Sequence, residues 1–111
     1  MYTYKQLPLE QLEGLGKWRL GIQSGRLRLL ISHKGEPLCF LIRFEEDSDE
    51  LKSIENPVIK SISFNQFKAL NYESLKALLK VDLLQITYRG LPKLLAVPER
   101  FKAHLYLKII A

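Results

Sequence analysis

The segment Ile86-Thr87-Tyr88-Arg89-Gly90-Leu91-Pro92 decides the fold, because a related segment, Ile31-Ser32-His33-Lys34-Gly35-Glu36-Pro37, lies 55 residues before it. Each segment carries a β-rich step, then a basic residue, a glycine and a proline at the same positions. Glycine supplies the positive φ that a tight hairpin turn needs, and proline is tolerated near the start of a strand. Both segments are therefore predicted to form β-hairpins.

The similarity between the two halves extends over most of the chain without a gap. Shifting the sequence by 55 residues aligns identical residues, and similar residues lie between them. The identical pairs are Lys5/Lys60, Gln11/Gln66, Leu15/Leu70, Leu20/Leu75, Leu29/Leu84, Ile31/Ile86, Gly35/Gly90 and Pro37/Pro92. A regular offset of this kind indicates two copies of one supersecondary unit.

Each copy has the same pattern of predicted elements. Residues 2–8 and 58–64 alternate weakly and are rich in β-formers, so each is predicted to be a first strand. Apolar residues at helical spacing follow, and Gly16 aligns with Asn71, which predicts a break there between two short helices with Asn71 as a cap. The hairpin comes next. After the second hairpin, Pro98 and an acidic residue predict a short final helix.

Size and composition predict one compact unit made of both copies. The chain has 111 residues, 47% of them hydrophobic. A copy of about 55 residues alone would bury only about 60% of its surface, so the copies are expected to pack together as one pseudo-symmetric domain. The predicted division is a first repeat at 1–44, an acidic linker at 45–56 and a second repeat at 57–111. The predicted fold class is α/β, of the α+β type.

Charge is distributed unevenly along the chain. The net charge is +5, yet residues 45–55 hold six acidic residues and one lysine. Two basic bodies are thus separated by an acidic link, and a basic surface favours a polyanionic partner such as nucleic acid. We interpret the link as a hydrated connector, because like charges repel. The alternative is that it meets a basic partner.

The residues offer no support for catalysis or for a metal or other cofactor. His33 and His104 lie in different copies without metal-ligand spacing. Cys39 is the only cysteine and lies among apolar residues of a predicted strand, so it is expected to be buried and unreactive. The chain also has no apolar run long enough to cross a membrane and no signal peptide at residues 1–5. These features predict a cytoplasmic protein that is not an enzyme.

The repeat resembles the prevent-host-death (Phd/YefM) antitoxin family. Ile62-Ser63-Phe64-Asn65-Gln66-Phe67-Lys68 is similar to the family's opening, in which an Ile-Ser pair precedes a helix that carries a basic residue. The hairpin 86–92 and the step Pro98-Glu99-Arg100-Phe101 also resemble the family, and the first copy is a fainter version of the second. The resemblance implies two strand-helix-helix-hairpin repeats that imitate a family dimer inside one chain.

The resemblance further implies a DNA-binding transcriptional regulator that neutralises a toxin through a tail beyond the hairpin. Lys68 matches the family's basic helix position, which Glu13 occupies in the first copy. The predicted DNA contacts, mainly to phosphates, are Lys34, Lys60, Lys68, Arg89 and Lys93. The predicted partner-binding residues of the tail are Phe101, Leu105 and Ile109.

Two other functions are compatible with the same residues. The first is a protein-protein interaction module that kept the antitoxin fold and lost DNA binding. The second is a structural role in which the apolar tail or exposed sheet edges form a homo-oligomer. The tail itself is first expected to pack on the protein's own core, and a partner's groove or a second chain are its alternative contacts.

Overall fold

Seven strands, three short α-helices and two 3₁₀ segments make up the part of the chain that this computed structural model describes, which is residues 2–45, 50–105 and 107–108. The strands are β1 (Tyr2–Pro8), β2 (Arg28–His33), β3 (Glu36–Arg43), β4 (Ile59–Ser63), β5 (Leu83–Tyr88), β6 (Leu91–Pro98) and β7 (Leu107–Lys108). The helices are α1 (Arg19–Gln23), α2 (Phe64–Lys68) and α3 (Tyr72–Leu78), and the 3₁₀ segments are Leu9–Lys17 and Glu99–His104. The predicted α+β class is confirmed.

The strands form one mixed sheet in the order β4-β5-β6-β3-β2-β1-β7. Within each copy the first strand runs parallel to the second, and the second forms an antiparallel hairpin with the third. The equivalent third strands, β3 and β6, pair antiparallel at the centre of the sheet. The first strands, β1 and β4, therefore lie towards opposite sides of the sheet.

The pairing registers of the two copies match at the offset of 55 residues. Tyr4 lies opposite Arg28, and Ile59 lies opposite Leu83 in the same relation. Even the irregularity is repeated, because the register shifts between Ile31 and Ser32 in one hairpin and between Ile86 and Thr87 in the other. The sequence repeat is thus also a repeat of strand pairing.

Buried side chains form one cluster on each face of the sheet. The larger cluster lies between the sheet and the helical segments, and includes Leu12, Phe67 and Leu75. The smaller cluster covers the other face and includes Phe40 and Val97. Burial of these apolar surfaces is the main stabilising term for such a fold. No helix in the described ranges is long and apolar enough to span a membrane.

The helices of the second copy form as predicted. Asn71 is the N-cap of α3, where its side chain accepts a hydrogen bond from the Ser74 backbone and the Ser74 hydroxyl bonds back, which makes a capping box. Ser63 and Gln66 form a second capping box at α2. These reciprocal bonds satisfy amide groups that the first turn of a helix leaves without partners.

The first copy differs from the predicted pair of α-helices. Its first helical segment, Leu9–Lys17, is 3₁₀ over nine residues, and the α-helix begins only at Arg19. Gly14 and Gly16 weaken α-helix formation in this stretch, and the segment begins at Pro8 without a side-chain cap. The final segment, Glu99–His104, is also 3₁₀ rather than α-helical.

Part of the acidic link is fixed to the sheet. Glu50 is buried and forms an ion pair with Arg28 of β2, in which Arg28 Nη1 donates to Glu50 Oε2 at 2.8 Å. The expectation of a wholly hydrated link is therefore wrong for Glu50. Glu45, in contrast, is exposed and pairs with Arg43 at 3.2 Å. Residues 46–49 lie outside the described part of the chain.

Candidate nucleic-acid interface

The tips of the two hairpins present basic side chains at exposed turns. Arg89 and Gly90 have φ values of 54° and 79°, and Lys34 and Gly35 have values of 48° and 82°. Two consecutive residues with positive φ between paired strands form the type I′ turn that suits the twist of a hairpin. The predicted positive φ of both glycines is confirmed, and the turn geometry also holds Arg89 and Lys34 at the tips.

The two tips lie at opposite ends of the sheet. This follows from the antiparallel pairing of β3 and β6, in which Cys39 lies opposite Pro98 and Arg43 lies opposite Leu94. The tip at Arg89 is therefore near the end of β3, and the tip at Lys34 is near the end of β6. The molecule has two equivalent ends whose side chains can be compared directly.

The end at Arg89 contains a groove with a basic lining. This basic groove has a volume of about 290 Å³ and is lined by Arg19, Gln23, Tyr88, Arg89, Leu91 and Lys93. The three charged residues in the lining are cations. An opening bounded by cations and hydrogen-bonding groups is suited to an anion, and arginine is well matched to phosphate oxygens.

Tyr88 holds the cations of the groove in place. The Arg19 guanidinium carbon lies 3.9 Å from the centre of the Tyr88 ring, and that of Arg89 lies 5.3 Å from it. Arg19 Nη1 also donates to Gln23 Oε1 at 2.9 Å. The phenol ring thus positions two arginines that come from different copies of the repeat.

Lys68 lies beside the basic groove. Its Nζ atom is 5.3 Å from the centre of the Phe64 ring, and this ring packs edge to face with Tyr88 at a centroid separation of 5.9 Å. Two of the five predicted DNA contacts, Arg89 and Lys93, therefore line one groove, and Lys68 is connected to it through Phe64.

The equivalent end of the first copy is occupied by acidic side chains. Lys76 Nζ donates to Glu36 Oε1 at 3.0 Å, and the Tyr72 hydroxyl donates to Glu36 Oε2 at 2.5 Å. His33 stacks on Tyr72 at 4.7 Å between ring centres and pairs with Glu10 at 2.9 Å. We call these five residues the Glu36 cluster, in which Glu36 is already paired with Lys76.

The cluster perturbs the acid–base properties of its members. The Tyr72 hydrogen bond, followed by that from Lys76, holds the pKa of Glu36 below its usual value. The same carboxylate raises the pKa of Tyr72 and of Lys76. All three shifts favour the state in which Glu36 is ionised and its two partners are protonated.

The other predicted DNA contacts lie away from the basic groove. Lys34 is exposed at the opposite tip, next to the Glu36 cluster. Lys60 is exposed on β4, at the level of Leu84 in the register, and is therefore partway along the sheet. The structure thus divides the predicted set into one group of three residues and two separate lysines.

The predicted partner-binding residues lie against the protein's own sheet where they are described. Leu105 is 7% exposed, and Phe101 is partly buried against the same cluster. This placement agrees with the expectation that the tail packs as core, and it leaves Leu105 almost no surface for a partner. Ile109 lies outside the described residues.

Sequence reasoning missed Arg19 and Gln23. Neither belongs to a motif, and both come from the first copy, whereas the groove's hairpin belongs to the second. Only the pairing of β3 with β6 brings α1 and the second hairpin together. The only signal in the sequence is indirect, since the expected packing of the two copies on each other would bring residues of one copy next to those of the other.

Cys39 is not accessible as a nucleophile. Cys39 is fully buried, and burial raises the pKa of its thiol to about 12, so the prediction that it is a buried, inert residue is confirmed. Within the described ranges, no group of three or more His, Cys, Asp or Glu residues is placed to hold a metal ion. The basic groove, with its three cationic side chains, is the strongest candidate site.

Comparisons of the chain with protein-family models, curated proteins and solved structures gave no match. The resemblance to the antitoxin family thus depends on the motifs in the sequence.

Proposed function

We propose that this chain is an antitoxin-like DNA-binding regulator that contacts phosphates through its basic groove. The observation that carries the proposal is the convergence of Arg19, Arg89 and Lys93 around Tyr88, with Lys68 next to them. Phosphate contacts from arginine and lysine supply most of the affinity of such proteins and hold them in register on the duplex.

Strand pairing supports the proposed relation to the antitoxin family. The two copies pair through their equivalent strands β3 and β6 with matching registers, as an intramolecular pseudo-dimer requires. Each copy also runs from strand through two helical segments to a hairpin, which is the order that the resemblance implies. The proposal includes neutralisation of a toxin, although the described residues do not identify a toxin-binding surface.

The test is binding of the purified chain to a short duplex of random sequence, followed by fluorescence anisotropy over roughly 50 to 200 mM salt. The wild-type protein should bind in the micromolar range, with an affinity that falls steeply as salt rises. The double variant Arg89→Gln/Lys93→Gln should lower the slope of log affinity against log salt by about 2, because two phosphate contacts are lost.

The matched control removes two cations outside the groove. Lys34→Gln/Lys60→Gln has the same net charge as the groove variant, and it should retain most of the wild-type slope. Equal losses in both variants would show that binding depends on net charge alone. An absence of binding by the wild-type protein at low salt would overturn the proposal.

The alternative function, a protein-interaction module, is favoured by the outer edge of β4. Val58 and Ile59 are 60% and 53% exposed there, beside an apolar groove of about 470 Å³. The equivalent edge of β1 is covered by β7, which runs parallel to it. A partner would therefore supply an extended apolar segment parallel to β4, and the low-salt DNA measurement separates the two functions.

A further inference from the structure

The basic side chains at the two ends of the molecule differ in their partners. At the Arg89 end, the part of the basic groove's lining that the structure describes contains Arg19, Arg89 and Lys93 and no acidic residue. At the opposite end, Lys76 is bound to Glu36 at 3.0 Å. The equivalent of Glu36 in the second copy is Leu91, so this position carries a carboxylate in the first copy only.

We infer that the Glu36 end is a latent phosphate-binding site that the chain's own carboxylate occupies. Glu36 presents two oxygens to a lysine ammonium and a tyrosine hydroxyl, which is how a phosphate group would use the same donors. The carboxylate thus stands where a ligand phosphate would otherwise bind. The part of the inference that concerns the basic groove at the Arg89 end rests on the proposed function.

The surroundings of Glu36 have the size and charge for this role. A groove of about 350 Å³ contains Glu36, Lys76, Lys80, Glu99 and Arg100 in its lining, together with prolines and leucines. The described lining has a formal charge of +1, from three cations and two carboxylates. Removal of the Glu36 charge would raise it to +2 and would take from Lys76 its carboxylate partner.

Arg100 lines this groove, but its guanidinium already donates to other groups of the protein. Its guanidinium donates to the carbonyl oxygens of Leu79 at 2.7 Å and Val81 at 2.6 Å, and it lies 3.7 Å from Asp82. These bonds hold the groove open at the C-terminal end of α3. The cations that a phosphate would contact are consequently the two lysines.

With the Glu36 end closed, the wild-type protein has one available phosphate-binding site per chain. One chain would contact one phosphate tract at the Arg89 end, and the other end would remain closed by its own carboxylate. Binding to a palindromic site by two equivalent ends of one chain is therefore not expected. The inference assigns Glu36 the role of an internal competitor for phosphate.

The test uses inorganic tripolyphosphate as the probe and isothermal titration calorimetry of the full chain. The wild-type protein should bind at one site, which Arg89→Gln/Lys93→Gln abolishes. Glu36→Gln and Glu36→Leu should each show a second site at the Glu36 end. Its affinity for tripolyphosphate should be about tenfold or more above that of the same end in the wild-type protein. Adding Lys76→Met to either variant should remove the second site.

The matched control is Glu73→Gln, which removes one exposed carboxylate on the same helix as Lys76. It should bind at one site, as the wild-type protein does. A single site in both Glu36 variants, with the wild-type affinity, would overturn the inference, and so would two equal sites in the wild-type protein. A wild-type protein without a site and a Glu36 variant with one would support the inference and contradict the proposed function.

Discussion

Leu41 lies directly opposite Ala96 in the ladder between β3 and β6, and Ala96 is the residue that follows Leu41 by the repeat offset of 55. Each strand thus meets its own equivalent at this pair, so the approximate two-fold relation between the copies passes through it. Both side chains are completely buried. Leu41 and Ala96 occupy equivalent positions of the repeat, yet one side chain is large and the other is small.

This pairing predicts that Ala96→Leu destabilises the protein. Ala96 is also opposite Leu84 across β5, so added methyl groups meet leucines on both sides. Overpacking of this kind costs about 1–3 kcal/mol of unfolding free energy. Urea denaturation monitored by circular dichroism measures the loss. The same substitution at exposed Ala103 is the control and should change stability by less than about 0.5 kcal/mol.

The buried ion pair between Arg28 and Glu50 gives a second prediction. Both side chains are less than a tenth exposed, so Glu50→Ala removes the carboxylate that is paired with the buried Arg28 guanidinium. We expect a loss of about 3–5 kcal/mol in the free energy of unfolding, measured by urea denaturation. The double variant Arg28→Met/Glu50→Leu should recover most of that loss. A change within about 0.5 kcal/mol for Glu50→Ala, as expected for exposed Glu55→Ala, would contradict the burial of the pair.

The capping box at α3 gives a third prediction. Asn71→Ala removes the acceptor for the Ser74 backbone amide and should cost about 1 kcal/mol. Asn65 is exposed within α2 and offers the same substitution away from a cap. Asn65→Ala should therefore have the smaller effect. Thermal unfolding of both variants, followed side by side, measures the difference, and equal midpoints would show that the cap does not contribute.

The lowered pKa of Glu36 makes part of the stability depend on pH. The pKa lies below the ordinary value of 4.5, so the carboxylate stabilises the folded state above that value, and its contribution is lost as pH falls through the lowered pKa. The raised pKa values of Tyr72 and Lys76 have the opposite sign, so their contribution is present below pH 10.0 and is lost at higher pH.

The prediction concerns the difference in melting temperature between the wild-type protein and Glu36→Gln. That difference should be constant between about pH 6 and 9, and it should shrink both below pH 4.5 and above pH 10.0. Glu73→Gln is the control, and its difference from the wild type should not follow this profile. A Glu36→Gln difference that is independent of pH would show that the carboxylate is not held by its partners.

The repeat made the sheet largely predictable from the sequence. Strand β1 was predicted at its observed bounds, and the glycine and proline of each hairpin marked the turns within one or two residues. These features are local, because turn geometry depends on a few residues in succession. The cap at Asn71 was predictable for the same reason.

The site was less predictable, because it depends on contacts between the copies. Arg19 stacks on Tyr88 across a sequence separation that no local pattern encodes. Glu50 shows the same limit, since a run of acidic residues indicates hydration and only the fold brings Arg28 to it. The 3₁₀ geometry of Leu9–Lys17 also escaped prediction, because the apolar spacing is similar to that of an α-helix.

The cross-copy position of Arg19 leads to the last prediction, which concerns its role in DNA binding. If Arg19 contacts a phosphate from its place on Tyr88, Arg19→Gln should weaken binding to duplexes of all sequences and reduce the salt slope by about 1. Lys17→Gln is the control, since Lys17 is an exposed cation of the same copy that lies over Trp18 rather than Tyr88. It should leave the slope close to that of the wild type. Anisotropy over the same salt series measures both, and an unchanged slope for Arg19→Gln would restrict the DNA contact to the second copy's own residues.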